Sequence, residues 1–151
     1  MTMERETLNI IAAVVLRYAI TVLFLWFGMS EILNPEAWTV WLPEWFVMIP
    51  LDPVTFMWAN GVFEVTFAVL LGLGLFTRFV ASVLALHLFS IAVSLGYNDV
   101  GVRDFVLGLA TLSIGLRGAD PLAFDRWLRK SVWGHTSFAR FFHLYEREKS
   151  K

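Results

Sequence analysis

Four long apolar runs constrain this chain more than any other feature, because a water-soluble fold of 151 residues could not cover them. A bilayer core about 30 Å thick needs about 20 helical residues to cross it, with every backbone polar group satisfied internally. The runs lie at about Leu8–Met29, Val54–Phe76, Phe79–Gly96 and Val102–Leu116. The fourth is short, so it starts nearer Asp99 or sits where the bilayer is thinned. Hydrophobic residues make up 58% of the chain and charged ones only 17%, against roughly 25% in soluble domains. Period-two alternation is absent, which argues against a membrane β-barrel. The expected fold is all-α, an integral membrane four-helix up-down bundle.

Lysine and arginine outside the spans set its orientation. Arg5, Arg78, Arg117 and seven residues of the tail lie on one side, with only Arg103 on the other. Ten against one places both termini in the cytoplasm of a multi-pass cell-membrane protein. The brief links at Thr77-Arg78 and at Tyr97–Gly101 favour antiparallel neighbours. Between the first two spans, Asn34-Pro35 reads as N-cap and first helical residue. Trp38, Trp41, Leu42 and Trp45 follow at helical spacing, interrupted by Pro43, Pro50 and Pro53. Short helical pieces in the outer interface fit this pattern, either as an aromatic anchor or as a lid over the bundle mouth. Residues 1–119 form the transmembrane domain on this reading. Residues 120–151, which mix Phe124, Trp127 and Trp133 with basic residues, form an amphipathic helix on the cytoplasmic leaflet or a docking site for a soluble partner. The chain has no cysteine, so disulfides, thiolate metal sites and CxxC chemistry are excluded. The first span is too long for a signal peptide and lacks a small-x-small cleavage site. Nothing in the sequence suggests a nucleic-acid partner.

Ionisable residues inside the spans are the candidates for function. Each costs about 2.5–3.5 kcal/mol at mid-bilayer on insertion scales. With a rise of 1.5 Å per residue, Arg17 and Glu64 each lie roughly 15 Å into their spans, and His87 about 12 Å. Asp104 lies about one turn inside the fourth. Each sits on a stripe of small or polar residues: Ala13, Arg17, Thr21 and Gly28; Asn60, Gly61, Glu64, Ala68 and Gly72; His87, Ser90 and Ser94; Asp104, Gly108, Thr111 and Gly115. Such stripes mark helix contacts in lipid. Arg17, Asn60, Glu64, His87 and Asp104 are therefore expected to converge as a ligand-binding cluster, with Glu64 and His87 as catalytic or proton-handling candidates. The bland alternatives are an Arg17–Glu64 salt bridge that fixes helix register and a hydrogen-bonded core histidine. No metal site is expected, because Arg17 in the cluster opposes a cation.

The residues from Arg17 onward, RYAITVLFLWFGMSEILNP, resemble the first helix of the DoxX family. GVFEVTFAVLLGLGLFTR resembles its G-x-x-E helix and G-L-x-T-R turn, and VRDFVLGLATLSIGLRGADPLAFDRWL its R-D helix and G-x-x-x-x-x-x-D close. The resemblance covers roughly Leu8 to Leu128. Many relatives carry lysine where this chain has Glu31. The resemblance implies Arg17, Glu64 and Asp104 as shared polar positions, Arg78 at the turn, and a link to membrane redox complexes such as thiosulfate:quinone oxidoreductase. On that basis the chain is a quinone-binding membrane subunit with no resident cofactor of its own. Trp26, Phe27 and Trp58 hold the ring, and Glu64 or His87 exchanges protons. Two alternatives stay open: a small carrier or lipid- or ion-binding protein, and a non-catalytic assembly or anchoring subunit. Whether the chain is an enzyme and whether it forms homo- or hetero-oligomers are left open by its sequence.

Overall fold

The computed structural model describes residues 2–130 and is entirely helical and irregular, without a strand among those residues. Its long helices are α1 (Thr2–Leu33), α3 (Pro53–Leu73), α4 (Thr77–Leu95) and α5 (Asp99–Arg117), with short α2 (Pro35–Trp38) and α6 (Phe124–Lys130). Three of them, α1, α3 and α4, are long and apolar enough to cross a membrane. α5 begins at Asp99, as one of the two readings of the short fourth run requires.

Local sequence explains the boundaries. Pro53 opens α3 behind the N-cap Asp52, whose carboxylate accepts from the Thr55 N–H and hydroxyl, each at 2.8 Å. Those bonds, the backbone one foremost, hold the Asp52 carboxyl below its ordinary value. A lowered folded value means the cap stabilises above the ordinary carboxylate range and is lost as pH falls through the folded value. Asp52→Asn is therefore expected to narrow the stability difference between neutral and acid pH, measured by thermal unfolding in detergent. α3 ends at Gly74, left-handed at φ 69°, where a Cβ would meet the Ala123 backbone at 2.5 Å. Asn98 caps α5 through the Gly101 N–H. Asn34 precedes α2 as expected, but its side chain makes no capping bond.

Two antiparallel pairs make up the fold. α1 packs chiefly against α3, and α4 against α5. Gly28 and Gly61 meet where α1 crosses α3: a Cβ on either would lie 2.8 or 2.6 Å from the other's carbonyl oxygen. Gly108 receives Phe89, and Gly115 receives Ser82, along the α4–α5 seam. The small-residue stripes thus lie where helices touch, as lipid-facing packing demands. α4 departs from this pattern. Its buried face is Val80, Ala81, Leu84, Ala85, Leu88 and Ala92, while Ser90 is exposed.

At the tail end the two pairs are joined. Ile20, Phe24, Ala68, Leu71, Val80, Leu84 and Ile114 form a common apolar core there. The segment after α5 folds back on it. Asp125 accepts from the Phe76 and Thr77 N–H groups and the Thr77 hydroxyl, all at 2.8 Å, capping α4. Gly118 lies against the Arg78 side chain, 2.6 Å from where its Cβ would be. The T-R turn and the Gly118…Asp125 close, far apart in sequence, therefore interlock. Residues 120–126 belong with the bundle instead of starting a separate tail. The amphipathic helix expected over residues 120–151 falls largely outside the described residues.

Candidate functional site

Arg17 does not reach Glu64. Its Nε donates to Asp120 Oδ2 at 2.6 Å and its Nη2 to Oδ1 at 3.3 Å. Nη1 donates to the carbonyls of Leu71 and Gly72 at the end of α3. The expected common depth fails because α1 runs from Thr2 to Leu33 and is registered against α3 by the Gly28–Gly61 crossing. Glu64 packs beside Gly28, eleven residues or about 16 Å along α1 from Arg17. Arg17 and Asp120 form a buried pair with side chains 1% and 3% exposed. It fixes the tail end of the bundle and leaves the central cluster without its arginine.

Glu64 instead meets His87. His87 Nε2 lies 3.0 Å from Glu64 Oε1. Asn60 Nδ2 donates to Glu31 Oε2 at 2.8 Å and makes a long contact of 3.5 Å with the same Glu64 oxygen. One amide on α3 thus ties a carboxyl of α1 to the Glu64–His87 pair. Glu64 is buried, and its Oε2 has no hydrogen-bond partner among the described residues. Asp104 accepts from the Nε of its neighbour Arg103 at 2.8 Å, and the Arg103 guanidinium lies 5.4 Å from the Phe27 ring centre on α1.

These groups line one cleft of about 420 Å³ between the two helix pairs, at the end opposite Arg17. This is within the range of small-molecule sites. Phe27, Leu88 and Leu107 supply apolar wall from the helices, and Trp38, Trp41, Trp45 and Phe46 supply it from the loop. The loop is held down by Trp38, which donates to the Ser30 hydroxyl at 3.2 Å and meets Phe27 edge-on at 5.6 Å. Phe46 packs on Phe56 at 4.8 Å. Val47 and Met48 at its tip stay exposed. The loop accordingly roofs the cleft and presents apolar side chains outward. Trp26 and Trp58 are 74% and 50% exposed and are not part of the cleft, so only Phe27 of the three expected ring-holding aromatics lines it.

Of the five candidates, Asn60, Glu64, His87 and Asp104 share the cleft and Arg17 does not. Glu31 joins them. Its signal in the sequence is an acid one turn past Gly28 on the small-residue face, where its length lets it reach Asn60. Asp120 was hidden by its place in an otherwise basic tail. Among the described residues no group of three His, Cys, Asp or Glu is arranged to hold a metal ion.

A membrane helical protein with an acid–histidine cleft under an aromatic loop is the class these features define. The DoxX family model matches residues 12–96, more than half of the chain, and the chain belongs to that family. The matched region spans the R-to-P first helix, the G-x-x-E helix and the T-R turn, and stops before α5. No curated protein and no solved structure gives a match.

Proposed function

We propose that this is a four-span cell-membrane protein, with its tail end in the cytoplasm, that serves as the membrane subunit of a quinone-linked redox system. The observation that supports it is Glu64: buried in the cleft wall, held through one oxygen by His87 and Asn60, with the other oxygen unpaired among the described residues. A buried polar atom normally has a partner. An ionised carboxyl offers that oxygen as an acceptor to a phenolic hydroxyl, and a protonated one can donate to a carbonyl. The same side chain can therefore serve both oxidation states of one ligand. His87 orients the carboxyl and can receive its proton, while the loop tryptophans and Phe27 exclude water from the ring plane. A bound quinone would supply two-electron, two-proton chemistry, with electrons exchanged through a redox partner protein, since the chain has no cysteine of its own.

A second reading draws on a different observation. Among the described residues, Glu31, Glu64 and Asp104 face the cleft against Arg103 as the one always-cationic side chain, within aromatic walls. That chemistry also suits a cationic amphiphile, as a carrier or lipid-binding protein would need. Mass spectrometry of the gently extracted protein separates the readings. Retained quinone, lost in Glu64→Ala, is expected. A retained amphiphilic amine would favour the carrier. An empty protein that still holds other subunits would favour an anchoring role.

A further inference from the structure

We infer that Arg103 is the second anchor of the cleft, holding a ligand oxygen at the ring edge opposite Glu64. The site then selects a planar ring with an oxygen acceptor at each of two opposite edges. This deepens the quinone reading and rests on it. The order of the helices around the cleft carries the inference. α1 packs on α3 and α5, and α4 likewise packs on α3 and α5. α3 and α5 therefore stand diagonally across the space between the pairs. Glu64 is on α3 and Arg103 on α5, and both line the cleft. α1 shows that they share a level. A Cβ on its Gly28 would lie 2.9 Å from the Glu64 Cβ, and the adjoining Phe27 ring centre lies 5.4 Å from the Arg103 guanidinium. A ligand between the helix pairs meets a carboxyl at one edge and a guanidinium at the other.

The Arg103 side chain is equipped for this. Its Nε donates to Asp104 Oδ1 at 2.8 Å, while among the described residues Nη1 and Nη2 have no hydrogen-bond partner. The side chain is 49% exposed, whereas that of Asp104 is 7% exposed. Asp104 and the Phe27 ring thus steady the guanidinium from two sides, the ring by cation–π attraction, and leave its terminal donors open. Such donors bond a carbonyl oxygen or a phenolic one, and an ionised phenol most strongly. Glu64 cannot serve that far oxygen, since its own carboxyl is held on the α3 side by His87.

An ion pair that merely neutralises Asp104 would also keep Arg103 in place, so the test reads selectivity instead of stability. Para- and ortho-naphthoquinone share one ring system but carry their oxygens on opposite and on adjacent positions. Either can bond Glu64 through one oxygen, and only the para isomer then reaches Arg103 with the other. The chain has no cysteine for either to alkylate. Saturable quenching of tryptophan fluorescence in micelles gives both affinities. The parent is expected to prefer the para isomer by about tenfold or more, the effect of one hydrogen bond to a charged group. Arg103→Met should abolish that preference by weakening the para isomer alone. Because this variant leaves Asp104 buried without its cation, the double variant Arg103→Met with Asp104→Asn is measured beside it, and the same loss of preference is expected. Equal affinities in the parent, a preference for the ortho isomer, or an equal fall for both isomers in the variants would overturn Arg103 as an anchor and leave the quinone reading standing. Saturable binding of neither isomer to the parent would overturn the quinone reading, and this inference with it.

Discussion

Replacing Arg17 by leucine should destabilise the protein by about 3–5 kcal/mol, the effect of removing one partner from a buried ion pair. Asp120 would keep the Leu122 N–H at 2.9 Å as a donor, which is too little for a carboxylate buried this deeply. The Leu71 and Gly72 carbonyls would lose their side-chain donor at the same time. Arg17→Leu with Asp120→Leu should recover much of the loss, because two apolar side chains of similar volume remove both buried charges. Arg17→Lys should fall between, since a lysine cannot present the planar fork that spans Asp120 and two carbonyls. Reversible unfolding in mixed micelles measures all three. If Arg17→Leu and Asp120→Leu each unfold like the parent, the pair does not hold the tail end together. The same series in Glu64 decides between partners: a double variant of Arg17 and Glu64 should show additive effects, because the two sites are too far apart to couple.

Glu64→Leu is expected to have the opposite signature. A buried polar atom without a partner costs about 1–3 kcal/mol, and among the described residues Glu64 Oε2 is such an atom. Removing it leaves Asn60 with its Glu31 bond and His87 at a cleft edge that water can reach. The ligand-free variant should therefore be at least as stable as the parent. Its affinity for a short-chain quinone should fall tenfold or more, corresponding to at least about 1.4 kcal/mol. Glu64→Gln should retain most of the packing and bind more weakly than the parent but better than the leucine variant. Gain of stability with loss of binding is the mark of a group kept for function. A leucine variant that is both destabilised and fully competent to bind would make Glu64 a packing residue.

Much of this fold was legible because lipid imposes strong rules. The apolar runs and the small-residue faces of α1, α3 and α5 all follow from length and close approach. The convergence of Asn60, Glu64, His87 and Asp104 on one space was legible for the same reason. Depth was not. Counting residues from an assumed span start placed Arg17 beside Glu64, whereas the Gly28–Gly61 crossing sets the register between α1 and α3. The partner of Arg17 lay in a segment whose basic and aromatic residues resemble a surface helix. Asp120 and Asp125 turn inward because α4 and α3 leave bare N–H and C=O groups at their shared turn, a demand visible only once both ends are side by side. The aromatic contribution to the cleft was misplaced for a related reason. Trp26 and Trp58 lie on lipid-facing stripes, and the loop tryptophans, with no helix of their own long enough to fix a face, fold over the mouth.

The claim on which the account stands is that the cleft under the tryptophan loop takes a quinone. Photolabelling with an azidoquinone, followed by peptide mass spectrometry, tests it most directly. Adducts are expected on the cleft-lining residues Phe27, Trp38, Trp41 and Ile91, suppressed by excess unlabelled quinone and lost in Glu64→Leu. Adducts confined to the lipid-facing Trp26 and Trp58, or labelling that excess quinone does not suppress, would contradict it.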